Sequence, residues 1–330
     1  MNEFRKVHIG IDISKDSFDV VLFIQGVEYR LQFQNNRIGF GQFQKWLKKR
    51  KVSEAHACME ATGRYGDELA RFLYEQGYQV SMVNPKRIKS YAESKLTRNK
   101  TDAVDAAIIE DFCRTQQPRL WEPPAPEIGE LQMMTRHLEA LKNMRTQELC
   151  RLKSGITAPV VEEMIQKHID FLEQEIEQLE EQIDEHIDHH PGLKENAELI
   201  ESIPGIGPLT AAILLAEIKD INAFDSASEL ASYAGLSPQK RQSGTSVRGL
   251  SKLSKIGNAR LRKALYFPSM SARQHNPIVR TFCERLSIRG KQTMVIQGAA
   301  MRKLLHIIYG VWKKGRPFDP AYEMHLTTGA

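Results

Sequence analysis

No apolar stretch in this 330-residue chain approaches the ~20 residues that a membrane-spanning helix needs, so a membrane protein is not expected. The first residues, Met1-Asn2-Glu3-Phe4-Arg5-Lys6, run straight into a strand-like segment with no apolar signal core, which predicts no secretory leader. Cysteine is scarce. Cys58, Cys113, Cys150 and Cys283 lie far apart without C-x-x-C spacing and read as reduced, mostly buried thiols of a cytoplasmic protein. Hydrophobic content of 41% and charged content of 26% exclude a disordered chain and leave room for two domains with cores.

What is present begins with carboxylates. Asp12 ends the apolar run Val7-His8-Ile9-Gly10-Ile11-Asp12, and Glu60 closes a second, Ala57-Cys58-Met59-Glu60. Asp102 and Asp105 are spaced three apart in Thr101-Asp102-Ala103-Val104-Asp105, so on a helix they share one face. Two strand-borne and two helix-borne acids can converge into a pocket that repels anions unless a divalent cation fills it. Hard oxygen ligands of this kind suit Mg²⁺ or Mn²⁺. The chemistry that follows is metal-assisted phosphoryl transfer on nucleic acid.

Net charge is uneven along the chain. Residues 1–126 carry net +4, residues 127–190 net −9 and residues 191–330 net +10. Residues 1–120 read as three strands followed by alternating helices and strands, a mixed α/β sheet domain. The Pro-rich segment from Trp121 to Pro126 reads as a stiff linker. Beyond it, Ile165, Ile169, Leu172, Ile176, Leu179 and Ile183 recur at 4-3-4-3-4 spacing, an a/d seam on a Glu-rich helix. That seam predicts either a helical hairpin within the chain or a coiled coil between copies, giving a dimer or tetramer. The expected division is 1–120, 121–190 and 191–330. His186, His189 and His190 lack a nearby fourth ligand and read as a polar helix end rather than a metal site.

In the last segment, Ile203-Pro204-Gly205-Ile206-Gly207-Pro208 separates two helical stretches, the second apolar and Ala-rich. Gly205 and Gly207 permit a tight turn, and the next helix N-terminus can offer backbone N–H groups to a phosphate. This resembles the helix-hairpin-helix of DNA repair proteins; the alternative is an ordinary core corner. From Ser237 to Lys263 the chain has eight basic residues and no acid: Lys240, Arg241, Arg248, Lys252, Lys255, Arg260, Arg262 and Lys263. These are the candidate nucleic-acid contacts. Ser243 and Ser246 lie inside the run, with Ser243-Gly244 placed in a loop, where nearby cations would stabilise a phosphoryl group in transfer.

Taken together, Ile9-Gly10-Ile11-Asp12-Ile13-Ser14-Lys15, Met59-Glu60-Ala61-Thr62-Gly63 and Asn99-Lys100-Thr101-Asp102-Ala103-Val104-Asp105-Ala106 resemble the RuvC-like domain of the DEDD insertion-sequence transposases. That family includes Piv-type DNA invertases and bridge-RNA-guided recombinases. The blocks Ile203 to Gly207, Ala234 to Pro238, Gln242-Ser243-Gly244 and Ser254 to Asn258 resemble its C-terminal transposase domain, in the family's order. The resemblance implies an RNase H-like fold with Asp12, Glu60, Asp102 and Asp105 as a metal-binding tetrad. It implies Ser243 as a nucleophile that links covalently to DNA, double-stranded DNA as substrate, and a structured non-coding guide RNA in a bacterial or archaeal cell. Gln242 stands where the family often has a second serine or small residue, which leaves Ser246 as the weaker alternative to Ser243. Two rival readings are a junction nuclease that uses the same acids with water, and a non-enzymatic helix-hairpin-helix scaffold.

Overall fold

The computed structural model describes residues 7–60, 65–95, 102–155, 158–239, 242–243, 247–248 and 252–321, with backbone alone at 102–104, 239, 242–243, 247–248 and 252. The chain divides into two compact units, Met1–Pro123 and Pro124–Ala330.

The first unit is built on a mixed five-stranded sheet. β1 (Val7–Ile13), β2 (Ser17–Ile24) and β3 (Val27–Gln34) form an antiparallel meander, and β4 (Ala55–Glu60) and β5 (Gln79–Val83) run parallel to β1. The strand order is β3-β2-β1-β4-β5. Side chains alternate between the two faces of a strand. Ile9, Ile11 and Ile13 therefore share a face with Phe18, Val20 and Leu22, and this face packs on α1 (Arg37–Lys49) and α2 (Asp67–Glu75) through Phe40, Phe43, Leu69 and Leu73. Asn36 starts α1 by accepting from the Gly39 N–H, and Gly77, at φ +86°, turns the chain after α2. The opposite face carries α3 (Pro85–Ser94) and α4 (Asp102–Gln116). There Cys58, Val83, Ile88, Ile109, Phe112 and Cys113 form a separate core.

The second unit is mostly helical. α5 (Pro126–Lys153) and α6 (Pro159–Asp188) form an antiparallel hairpin, with Lys142 paired to Glu180 and Arg145 to Glu173. The a/d seam is used up inside it: Ile169, Leu172, Ile176 and Ile183 are buried, and Leu172, Ile176 and Ile183 share one core with Leu131, Leu138 and Leu141. Of the two partners that the seam allowed, the structure uses α5 of the same chain. That core continues into α7 (Pro191–Glu201), α8 (Pro208–Ile218) and α9 (Ala227–Tyr233). Segment 121–190 thus shares its interior with the C-terminal region instead of standing apart. Among the described residues four short strands follow: β6 (Pro238–Gln239), β7 (Gln242–Ser243), β8 (Val247–Arg248) and β9 (Lys252–Leu253). The unit closes with α10 (Ala259–Ala264), α11 (Tyr266–His275), α12 (Pro277–Ile288) and α13 (Thr293–Lys314). The His186 ring bonds the Glu127 carbonyl at 2.9 Å, and the His190 ring bonds the His186 carbonyl at 2.7 Å. Each of these two rings is thus held in place by a backbone oxygen through one of its nitrogens. Among the described residues no helix is long and apolar enough to cross a membrane.

Candidate active site

In the first unit, β1 and β4 pair in parallel with Ile11 opposite Met59. The next residue on each strand is an acid, so Asp12 and Glu60 end neighbouring strands side by side. Their face follows from the two-residue period. Asp12 shares it with Gly10, and Glu60 shares it with Cys58, which packs under α4. α4 descends onto this face against the direction of β1. Ala106 and Glu110 lie over Gly10, the Cys113 thiol bonds the His56 carbonyl at 3.4 Å, and Gln117, just past its end, meets the His8 ring at 3.0 Å. The N-terminal turn of α4, which holds Asp102 and Asp105, is therefore at the Asp12 end. Asp12, Glu60 and Asp105 are each half-buried. The Asp102 side chain lies outside the described residues; its backbone opens the helix.

Two further carboxylates on this face escaped the sequence reading. Asp19 of β2 stands directly opposite Asp12 in the antiparallel pair and accepts a 3.0 Å bond from the Gln32 amide. Directly opposed like charges are unfavourable without a cation between them. The signal for Asp19 was its place in the alternation of Ser17-Phe18-Asp19-Val20, once the β1–β2 register is known. Glu110 is buried on α4 beside Gly10, with Arg114 Nε 3.4 Å from one oxygen and no hydrogen-bond partner for the other among the described residues. Burial pushes its carboxyl up to about 7, and the Arg114 charge offsets this only in part.

The donor set is all carboxylate, the chemistry that suits a hard divalent cation. Among the described residues no three His, Cys, Asp or Glu side chains are grouped closely enough to hold a metal ion; the Asp102 side chain is not among those described.

In the second unit, Ser243 lies on a β-hairpin rather than in an open loop. Pro238 pairs with Leu253 and Gln239 with Lys252; farther out, Gln242 pairs with Arg248 and Ser243 with Val247. Three residues, including Ser246, link β7 to β8, so Ser243 is the last residue before the hairpin tip. Ser246, Lys240 and Arg241 lie outside the described residues, and for Arg248 and Lys252 only the backbone is described. Lys255 is exposed and sits at φ +53°. The other three cations have partners in the protein. Arg260 and Lys263 both pair with Glu139 of α5, at 3.2 and 2.7 Å, and Arg262 donates to the Ala234 carbonyl at 2.9 Å. Against the cost of its own partial burial, Lys263 and then Arg260 hold the Glu139 carboxyl below its ordinary range. Part of the basic run is thus neutralised from within the protein.

The Pro-Gly-Ile-Gly corner does join two helices, α7 and α8. Gly205, at φ +104°, is required by the protein itself: a Cβ there would fall 2.6 Å from the Ala272 nitrogen of α11. Its close backbone approach is to a neighbouring helix and not to a phosphate. Gly207 precedes α8 with open space around it and remains the member free to meet a ligand.

Comparison with known proteins matches both halves of the chain. A family model described as Transposase, of the IS110 DEDD type, matches residues 9–158, and one described as Transposase IS116/IS110/IS902 family matches residues 197–284. A pilin gene-inverting protein of Moraxella bovis is 35% identical over 95% of this chain and 98% of its own length. The transposase for insertion sequence element IS1111A of Coxiella burnetii is 24% identical over 81% of this chain and 78% of its own length. A solved structure of T. thermophilus RuvC in complex with Holliday junction substrate overlaps 36% of this chain and 100% of that chain, with a TM-score of 0.28 and 10% identity, a score at which the likeness decides nothing.

Proposed function

The chain belongs to the IS110-type DEDD transposases, a family of enzymes acting on DNA, and from that premise we propose that it cuts and rejoins DNA strands through a covalent serine–DNA intermediate. The observation that carries this reading is the pairing of Asp12 and Glu60 at the ends of adjacent parallel strands, beneath the turn of α4 that bears Asp102 and Asp105. These four residues would hold Mg²⁺ or Mn²⁺, and Asp19 stands beside them. A bound cation supplies neutralisation of the charge that builds on the phosphate.

The remaining steps belong to the chain's own groups. The Ser243 oxygen forms a bond to phosphorus, its proton leaves to solvent, and the deoxyribose oxygen departs and is protonated. A hydroxyl of a second strand later attacks the phosphoserine, forms the new phosphodiester and returns Ser243 to its free form. One phosphoester is exchanged for another at each step, so the strand is rejoined rather than hydrolysed. The stretch around Ser243 carries cations and no acid, which favours the approach of an anionic phosphate. By resemblance to the family, a structured non-coding RNA guides the choice of DNA. Self-association into a dimer or tetramer would use the outward side of the α5–α6 hairpin, where Val160, Met164 and Phe171 are exposed, because the inner seam is filled.

The test is the product. Incubation of the full-length protein and its element RNA with labelled element-end DNA should give recombinant strands and a denaturation-resistant protein–DNA adduct. Cleaved ends with no joined product and no adduct would replace this reading with that of a nuclease using water.

A further inference from the structure

Both feet of the hairpin arm that carries Ser243 meet at one buried residue, Glu217. The incoming foot leaves α9 at Tyr233, and the Tyr233 hydroxyl donates to the Glu217 backbone carbonyl at 3.2 Å. The outgoing foot runs back alongside it. Ser254 N donates to Ser237 O at 2.9 Å, Lys255 N to Gly235 O at 3.2 Å and Asn258 N to Tyr233 O at 2.6 Å. Gly257, at φ +142°, allows this closure, since a Cβ there would lie 2.2 Å from the Tyr233 carbonyl oxygen.

Asn258 then does two things with one side chain. Its Oδ1 accepts from Leu261 N at 3.0 Å and starts α10, while its Nδ2 donates to Glu217 Oε2 at 2.8 Å. Glu217 is 3% exposed and receives Arg136 of α5 on both oxygens, Nε at 3.0 Å and Nη2 at 3.4 Å. The carboxylate therefore fastens the arm's outgoing foot to the helical hairpin, and the same residue's carbonyl fastens the incoming foot.

We propose that Glu217, acting through Asn258 with Arg136 behind it, is the positioning residue that sets the direction of the Ser243 arm. The proposal rests on Ser243 being the nucleophile. A buried ion pair is a poor source of net stability, because apolar groups of the same volume often do as well. What it supplies is a fixed orientation. Ser243 follows Pro238 by only five residues, so a change of direction at the foot would move Ser243 with it. A misplacement of about 1 Å at a reacting atom can cost ~100-fold in rate.

Asn258→Asp is the discriminating change. Aspartate starts a helix as well as asparagine does. It also sets a second carboxylate against Glu217, with Arg136 and the Tyr233 hydroxyl as the other charged or titratable groups facing the pair. Asn258→Ser keeps the cap and adds no charge. Adduct formation is followed on denaturing gels with the full-length protein and labelled element-end DNA, alongside DNA affinity and the melting temperature. Asn258→Asp should form adduct about 100-fold more slowly than the wild type at pH 8, with DNA affinity within about threefold. Between pH 8 and pH 5.5 it should recover about tenfold relative to the wild type at each pH, because the facing carboxylates come to share a proton. Asn258→Ser should lose less and show no such recovery. Wild-type adduct rates in Asn258→Asp would overturn the proposal. So would equal losses of melting temperature, DNA binding and rate in both variants, which would make the network structural only. Absence of an adduct in the wild type, with cleavage intact in Ser243→Ala, would instead overturn the serine reading, and the proposal would fall with it.

Discussion

Gly10 lies directly beneath Ala106: a Cβ at Gly10 would come within 2.1 Å of the Ala106 carbonyl oxygen and 2.3 Å of the Glu110 nitrogen. This contact brings two distant parts of the sequence into one site. A helix that touches the strand at Gly10 places its preceding turn over Asp12, two residues farther along β1. Any side chain at Gly10 would lift α4 away and carry Asp105 with it.

The first prediction follows from that convergence. Asp12→Asn, Glu60→Gln, Asp102→Asn and Asp105→Asn should each lower recombination by about 100-fold or more, since each removes one charge from a site proposed to hold a divalent cation. Circular dichroism and the melting temperature should stay close to the wild type, because these carboxylates lie at strand and helix ends. Mg²⁺ should raise the wild-type melting temperature more than that of the variants. Full recombination in all four would remove the acids from the chemistry.

Glu110 makes stability depend on pH. Its folded-state carboxyl is raised from 4.5 to about 7, so between these values the folded chain holds a proton that the unfolded chain has released. Stability is then fully present below about pH 4.5 and is lost as pH rises through about 7. A shift of this size corresponds to roughly 3 kcal/mol at most. Glu110→Gln should abolish this slope and leave the protein more stable than the wild type at pH 8. Denaturant midpoints at pH 5.5, 7 and 8.5 give the answer, and parallel curves for the two proteins would show that Glu110 is ionised throughout.

The acids at Asp12 and Glu60 were legible in the sequence because each interrupts the end of an apolar strand. Asp19 was not, because its importance lies in register: it matters only once the β1–β2 turn sets it opposite Asp12. The a/d spacing of α6 was plain, yet a seam does not name its partner. Gly205 announced a close approach, but the backbone it approaches, at Ala272, is 67 residues away and belongs to the same chain. Ser243 read as a loop because its neighbours Gln242, Gly244 and Thr245 show no apolar alternation, the period that marks a strand.

Because the seam is internal, breaking it should damage the fold rather than an assembly. Leu172→Asp would bury a charge in the core that Leu172 shares with Leu138 and Leu141, a change that costs several kcal/mol. The expected result is a large fall in melting temperature or aggregation on expression. By contrast, Phe171→Asp, next in sequence but on the exposed side, should leave the melting temperature within a few degrees. Light scattering on Phe171→Asp then asks whether the outward side carries self-association. A stable Leu172→Asp protein with only its mass reduced would restore the seam as an interface between copies.

Glu139 pairs with both Arg260 and Lys263 and would compete with any DNA phosphate for them. Both cations are about half exposed or more, so the pairs themselves contribute little stability. Glu139→Gln should leave folding unchanged and tighten DNA binding by roughly two- to fivefold at 0.1 M salt. If both freed cations then meet phosphates, the slope of log K against log salt should steepen by up to about 2. Unchanged affinity and slope would mean that this corner of α10 faces away from DNA.

The last prediction separates recombination from hydrolysis. Ser243 ends β7 beside the hairpin tip, within a stretch of eight cations and no acids. A serine hydroxyl is a weak nucleophile by itself, but a phosphate held among cations loses much of the charge that would repel it. Ser243→Ala removes one hydroxyl and no charge, so DNA affinity and melting temperature should match the wild type. Adduct and recombinant product should both disappear on gels of labelled element-end DNA, and peptide mapping of the wild-type adduct should place the link at Ser243. An adduct that survives in Ser243→Ala and maps to Ser246 would move the nucleophile three residues along the chain. Cleavage at the wild-type rate by Ser243→Ala, with no adduct from either protein, would leave the acids as a nuclease centre with water as the attacking group.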